Sequence, residues 1–363
     1  MTGQTAWGHR HLSLVRRTAS AVQGRQNSEV ARGVEYPPSA RVKGSGLLSL
    51  PYFEAEEIRS ALPFEQAIWG IEQALLNGMD PEEASPRLFS PAPDGEFLLM
   101  PISSTPMTGC KVATIAPKNP DRGLAKIQAV YLLFDAATLA PLAMMEGTEL
   151  TAIRTPATTL TAVKHIAAAD PDFPTAPKIL VFGAGVQGLN HIRAARAVYP
   201  EASFGVVGRS QTRLESLIAT LGEEGANVQI RQPDAAAEYD IILCVTSSSV
   251  PVFDGNLPQD HTVIASVGQH GLDSHEVDAS LVLRADITVE GRASSWQESG
   301  NLAQARSINE WRSENLPNIQ DLVAGRYTRT LGKPALFTGV GMAWEDLALA
   351  SVVYQRSGHS STP

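Results

Sequence analysis

The chain falls in the α/β class: a parallel, doubly wound sheet beside a second, discontinuous α+β domain. Three observations predict this. First, Lys178 to Gly188 reads KILVFGAGVQG, a β-branched apolar run breaking into Gly183-Ala184-Gly185-Val186-Gln187-Gly188. Second, strand-like and helix-like stretches alternate from there to about residue 318, which implies parallel βα units. Third, residues 85–144 carry short strand patterns broken by Gly and Pro, as in an antiparallel or mixed sheet. At 363 residues the chain has room for two domains of about 100–200 residues each.

In a G-x-G-x-x-G turn between a strand and a helix, each glycine has a task. Gly183 permits the tight turn, Gly185 lets the backbone approach a pyrophosphate, and Gly188 lets the helix pack on the strand. Val186 and Gln187 open that helix, whose free N–H groups and positive dipole end face the phosphates. These residues define a Rossmann-type nucleotide-binding domain, expected over 173–318, with strands at 178–182, 203–207, 228–230, 240–245, 262–267 and 286–290. Helices are expected after the glycine turn and at 211–221. A proline-rich stretch, DPDFPTAP at 170–177, marks the entry to it.

Residues 1–46 are expected to be a disordered leader without a part in the chemistry. They are Arg- and Ser-rich, with no acid before Glu29, a profile shared with organelle transit peptides. Arg16-Arg17 has no apolar core after it, which argues against an export signal. Folded sequence begins at Leu47. Pro63 suits a first helical turn, and Phe64, Ala67, Ile68, Ile71, Ala74 and Leu75 form one apolar face that ends at Gly78. Five strand patterns follow, then a helix over 151–168 opening with TAIRTPATT. The C-terminal stretch TGVGMAWEDLALASVVYQRS reads as a helix that packs back on the first domain, so that domain comprises 47–172 and 319–363.

A net charge of -9 argues against nucleic acid or anionic membrane as partner. Two cysteines, Cys110 and Cys244, lie far apart and indicate neither a disulfide framework nor a metal site, so a cytoplasmic protein is expected. No apolar run approaches the roughly 18 residues of a membrane span. The second strand of the nucleotide domain ends in Gly208-Arg209-Ser210, where NAD sites commonly place an acid on the ribose 2′-hydroxyl. Arg209 with Ser210 suits a 2′-phosphate, so NADP(H) is the expected cofactor. Stacking of Arg209 on the adenine would leave NAD(H) as the alternative. Lys111 sits mid-strand among apolar residues, and its stem either snorkels to solvent or holds a partly buried ammonium.

Several segments together resemble the ornithine cyclodeaminase/mu-crystallin family: CKVATIAPKNP (110–120), ELTAIRTPATT (149–159), ILVFGAGVQG (179–188), ASVGQHGLDSHEVD (265–278), ESGNL (298–302) and FTGVGMAWEDLALA (337–350). They stand in the family's order and cover most of the chain beyond residue 50. The resemblance implies a homodimer, with the first domain binding substrate and dimerising. It also implies nicotinamide-dependent interconversion of imines or oxo acids with amino acids.

By the same resemblance Lys111 faces the substrate, where burial and neighbouring cations would tune it as a general acid/base. Arg154 and Arg87 would clamp the substrate carboxylate, and Thr155 would help seat the cofactor. One departure matters. Ornithine-cyclising members carry an aspartate two places after the glycine of the VG stretch; here that place holds His270. An imidazole relays protons but pairs poorly with an ammonium. The expected activity is therefore an NAD(P)H-dependent imine (ketimine) reductase or amino-acid dehydrogenase on a small 2-oxo or 2-imino acid, with Lys111 and His270 catalytic. The alternatives are ornithine cyclodeaminase and a non-catalytic binding protein of the mu-crystallin kind. His275 and Glu276 are expected to serve local structure.

Overall fold

A computed structural model describes residues 50–83 and 85–358; the expected leader lies outside the described residues. The first sheet has six strands: β1 (Tyr52–Phe53), β2 (Leu88–Ala92), β3 (Gly95–Ile102), β4 (Met107–Ile115), β5 (Ile127–Asp135) and β6 (Pro141–Glu146), in the order β1-β6-β5-β4-β3-β2. β1 pairs with β6 in parallel and every other pair is antiparallel, which makes the sheet mixed. Along β4 the side chains alternate as a two-residue period requires: Met107, Gly109, Lys111 and Ala113 are buried, and the residues between them are half-buried.

Helices cover the buried face. α1 (Ala55–Ala61) and α2 (Phe64–Leu76) precede the sheet, and α3 (Gly147–Ala168) follows it. Pro63 occupies the N-cap of α2, and Ala67, Ile68, Ile71 and Leu75 point inward. α3 starts one turn before its expected first residue. The Glu146 carboxylate accepts the Thr148 and Glu149 N–H groups, a cap that satisfies donors the apolar pattern alone does not reveal. Threonines inside α3 return their hydroxyls to the carbonyls four residues back, as Thr155 does to Thr151.

The second sheet is all parallel and has seven strands: β7 (Lys178–Phe182), β8 (Ser203–Val207), β9 (Val228–Ile230), β10 (Ile241–Cys244), β11 (Val263–Ser266), β12 (Asp286–Val289) and β13 (Ala335–Thr338). Their order is β9-β8-β7-β10-β11-β13-β12, so the strand order reverses between β7 and β10. A ligand crevice belongs outside the carboxyl ends of the strands at such a point. α4 (Val186–Val198) and α5 (Gln211–Glu223) flank the sheet, and α6 (Ala279–Arg284), α7 (Arg292–Glu298), α8 (Gly300–Ala305), α9 (Ile308–Arg312) and α10 (Ile319–Val323) follow in its second half.

β13 departs from the expectation that residues 319–363 all return to the first domain. Ala335 to Thr338 insert between β11 and β12, paired with both. A run of four buried residues has no readable period, and only its neighbours make it a strand. The chain then crosses back. α11 (Ala343–Arg356) packs on α2, α3 and β4, burying Trp344, Leu347, Leu349, Ala350 and Val353. No helix among the described residues is long and apolar enough to cross a membrane.

Candidate active site

The carboxyl end of β7 carries the glycine turn. Gly183 adopts φ +125°, a left-handed conformation that costs an L-residue dearly, and its N–H donates to Val207 O. A Cβ on Gly188 would lie 1.9 Å from Gly183 O, so the helix can sit this close to the strand only without one. Nothing approaches the Cβ position of Gly185, leaving open space above the N-terminus of α4. Val186 is exposed there, and the Gln187 Oε1 is buried without a partner. An open cradle over unpaired helix N–H groups fits a pyrophosphate. At the end of β8, Arg209 and Ser210 are both exposed. Ser210 caps α5 by accepting the Arg213 N–H, which leaves its own hydroxyl hydrogen free to donate.

His191 ties this helix to α3. Its Nδ1 lies 2.8 Å from Gln187 O and its Nε2 3.1 Å from Thr159 Oγ1. Burial pushes its pKa down to about 4, so the ring is neutral and serves as a strut. Thr155 lies one helical turn before Thr159, on the strip of α3 that meets the nucleotide helix.

Lys111 is only 4 % exposed. Its position mid-strand, opposite Met100 on β3 and Tyr131 on β5, points it under the covering helices. There its Nζ meets Asp346 Oδ2 at 2.9 Å and Thr151 Oγ1 at 3.4 Å. Burial lowers the Lys111 pKa and Asp346 opposes that, leaving it at about 8. Arg154, three residues after Thr151 on α3, is also buried. Its Nη1 meets Glu345 Oε2 at 2.8 Å, and its Nε lies 3.5 Å from Asp346 Oδ1. Gly341, at φ +73°, brings its backbone against the guanidinium, where a Cβ would lie 2.7 Å from Nη1.

Glu345 also accepts the Thr158 hydroxyl and the Met342 N–H. Beside it Glu290 accepts the N–H groups of Val340 and Gly341. Burial and then Glu345 push the Glu290 carboxyl well above the usual range, so Glu290 keeps its proton. Burial works most strongly against ionisation of Glu345 as well, but Arg154, the hydrogen bond from Glu290 and the Met342 N–H together outweigh it and hold Glu345 below the carboxylate range. Two cations therefore face two carboxylates inside the protein, each with a partner.

Arg87 approaches from the segment before β2. Its Nη1 pairs with Glu298 at 2.7 Å, and its Nη2 donates to the carbonyls of Val340 and Gly341. Among the described residues no acceptor engages Arg154 Nη2 or Arg87 Nε, so each guanidinium keeps a free donor edge. His270 stands on the loop after β11. His270 is exposed to solvent, yet charged groups of the protein crowd around it. Burial first, then Arg87, Arg154, Lys111 and Lys126, push its pKa down to about 4. Glu276 holds that loop in place by accepting from Thr246 N and Oγ1, Ser266 Oγ and Gly268 N at 2.6–2.8 Å.

Lys111, Arg154 and Arg87 thus all lie near enough to His270 to act on its charge, so the fold brings the four together. The sequence reading missed their acidic partners: Glu298, Glu290, Glu345 and Asp346. A trace exists in AWEDLALA, where two adjacent acids interrupt an otherwise apolar helical run. Among the described residues no group of three or more His, Cys, Asp or Glu side chains is placed to hold a metal ion.

The chain has known relatives. The model of the ornithine cyclodeaminase/mu-crystallin family matches residues 53–361. The Delta(1)-pyrroline-2-carboxylate/Delta(1)-piperideine-2-carboxylate reductase of Azospirillum brasilense is 28% identical over 307 residues, 84% of this chain and 95% of that protein. The structure of Thermococcus litoralis Delta(1)-pyrroline-2-carboxylate reductase with NADH and L-proline shares the fold, with a TM-score of 0.75 at 24% identity over 85% of this chain and 97% of that one. The iminosuccinate reductase of Paracoccus denitrificans with NAD+ superposes with a TM-score of 0.72 at 25% identity, covering 85% and 97%.

The tightness of the turn at Gly188 has a direct consequence. Gly188→Ala must separate α4 from β7, and we expect nicotinamide nucleotide affinity to fall at least ~10-fold by fluorescence titration. Unchanged affinity would mean that the nucleotide binds elsewhere.

Proposed function

Because the chain belongs to the ornithine cyclodeaminase/mu-crystallin family, we propose that it reduces the C=N bond of small 2-imino acids, cyclic ketimines among them, or in reverse oxidises the matching amino acids. It is a nicotinamide-dependent oxidoreductase. The observation that carries the reading is the buried Lys111, paired with Asp346 and facing the same cleft as Arg154, Arg87 and His270.

When bound, the nicotinamide supplies a hydride to the imine carbon. As that C–H bond forms, the π electrons of C=N move to nitrogen and a proton must arrive there. Lys111 Nζ is the donor, with a pKa of about 8 that leaves it protonated at neutral pH. The free edges of Arg154 and Arg87 hold the substrate carboxylate by forked, charge-assisted hydrogen bonds. His270, neutral, offers a hydrogen-bonding edge and a proton path to solvent. Thr155 seats the cofactor from α3, while Gly183, Gly185, Val186, Gln187 and Gly188 cradle its pyrophosphate.

Arg209 and Ser210 read a ribose 2′-phosphate, which makes NADP(H) the preferred nucleotide. Arg209 is exposed and has no carboxylate partner among the described residues, so its charge is free for a phosphate. Cyclisation of ornithine is disfavoured on the same electrostatics. The distal ammonium would meet the neutral His270 amid four cations, while the site's carboxylates are already taken by Lys111, Arg154 and Arg87.

A homodimer accounts for the outer face of the first sheet. Phe97, Leu99, Val112, Val130 and Leu132 line it, half-buried or exposed, with the covering helices on the opposite face. An apolar sheet face of this kind calls for a second copy.

Purified enzyme should oxidise NADPH in proportion to Δ1-piperideine-2-carboxylate consumed and release no ammonia from L-ornithine; the opposite pattern would reject imine reduction. Lys111→Met should lower kcat at least ~100-fold with nucleotide affinity nearly unchanged, and native kcat should fall as pH rises through about 8, where the lysine loses its proton. Separately, Arg209→Ala should weaken NADPH at least ~10-fold and NADH by less than ~3-fold. Equal losses for both nucleotides would assign Arg209 to the adenine instead.

A further inference from the structure

The C-terminal helix contributes more than packing. α11 begins one residue after Met342, and its first turn places Glu345 and Asp346 beneath the substrate cleft. Asp346 is fully buried, yet it is an acid in a protein interior, where an unpaired carboxylate is strongly disfavoured. It has two cationic neighbours: Lys111 Nζ at 2.9 Å and Arg154 Nε at 3.5 Å. These come from different elements, β4 and α3, so Asp346 is the point at which three segments distant in sequence are held in register.

We propose that Asp346 is the positioning residue of the imine reduction: its carboxylate keeps the Lys111 ammonium charged and aimed at the substrate nitrogen. This rests on the reading of Lys111 as proton donor. A lysine buried among Tyr131, Met100 and Ala113 without a counter-charge would shed its proton, because burial disfavours the ammonium. Neutral, it has no proton to give when the hydride arrives. Thr151 Oγ1, at 3.4 Å, is the only other polar partner of Nζ among the described residues, and a hydroxyl cannot supply the missing charge.

The remaining charged groups cannot substitute. From α3, Arg154 repels the ammonium. From α11, Glu345 is engaged by Arg154 and Thr158. From the end of β12, Glu290 holds its proton; from the loop after β11, His270 is neutral; and Arg87, from before β2, adds further positive charge. On β5, the Tyr131 phenol is buried and stays protonated, since burial and then Asp346 raise its pKa. Asp346, paired with Nζ at 2.9 Å, is the main support of the charge on Lys111, and Glu345 adds a smaller one.

Asp346→Asn is close to isosteric and removes only the charge. The test follows kcat and KM for Δ1-piperideine-2-carboxylate with NADPH across pH, alongside titration of the Lys111 side-chain resonance in isotope-labelled protein, assigned by its loss in Lys111→Met. In Asp346→Asn we expect the alkaline fall in kcat and the Lys111 titration both to move down by at least ~1 pH unit, with kcat at neutral pH reduced at least ~2-fold. KM and nucleotide affinity should change by less than ~3-fold. Asp346→Glu, which keeps the charge, should restore the native titration and part of kcat. A loss of kcat uniform at all pH values, with Lys111 titrating as in the native protein, overturns the proposal. If the native enzyme reduces no imine, the function reading fails, but the Lys111 resonance still decides whether Asp346 sustains its charge. Should Asp346→Asn not fold, the Asp346→Glu titration decides: a Lys111 that shifts despite the retained carboxylate overturns the proposal.

Discussion

The fold is organised around a buried pairing of charge: Lys111 and Arg154 against Asp346 and Glu345. Removing one partner from such a pair costs about 3–5 kcal/mol, because the other charge is left stranded in a low dielectric. That penalty is a strong constraint on how β4, α3 and α11 meet. The chain leaves α3 at residue 168 and returns to it after β13, with α11 carrying both acids in its first turn. The surrounding apolar residues, Trp344 and Leu347 on one side and Tyr131 on the other, exclude water and so raise the stakes of each ion pair.

The second sheet meets this cluster at the ends of its strands. Parallel strands direct their carboxyl ends to one edge, and the reversal of order between β7 and β10 opens a crevice there. The glycine turn, the loop of Gly268 to His270 and the end of β12 all lie along that edge. Two struts set the distance between the sheets: His191 links the nucleotide helix to Thr159 of α3, and Glu290 reaches from β12 to the backbone just before α11. On the proposed reading, a nicotinamide bound on one side and Lys111 on the other would meet at one substrate. Neither side contains the complete chemistry.

How much of this can be read from the chain alone varies with the range of the cause. The glycine turn is local, so KILVFGAGVQG announces both its strand and its helix, and the alternation after it marks β8, β10, β11 and β12 closely. The early start of α3 escapes, because it depends on the Glu146 side chain and not on apolar period. β13 escapes too, since Ala335 to Thr338 become a strand only through β11 and β12. Lys111 shows itself as a cation out of place on an apolar strand. Asp346 does not, because an acid in the first turn of a helix has a sufficient local reason, the helix dipole, whatever lies beneath it. Its partner stands more than two hundred residues away, and only the tertiary structure brings them together.

The most direct measurement is a crystal structure of the enzyme with NADP+ and L-proline. We expect the ring nitrogen within about 3.2 Å of Lys111 Nζ, the carboxylate on Arg154 or Arg87, and Lys111 still bound to Asp346. A ring nitrogen turned away from Lys111, with the carboxylate held by neither arginine, would contradict the assignment of this cleft.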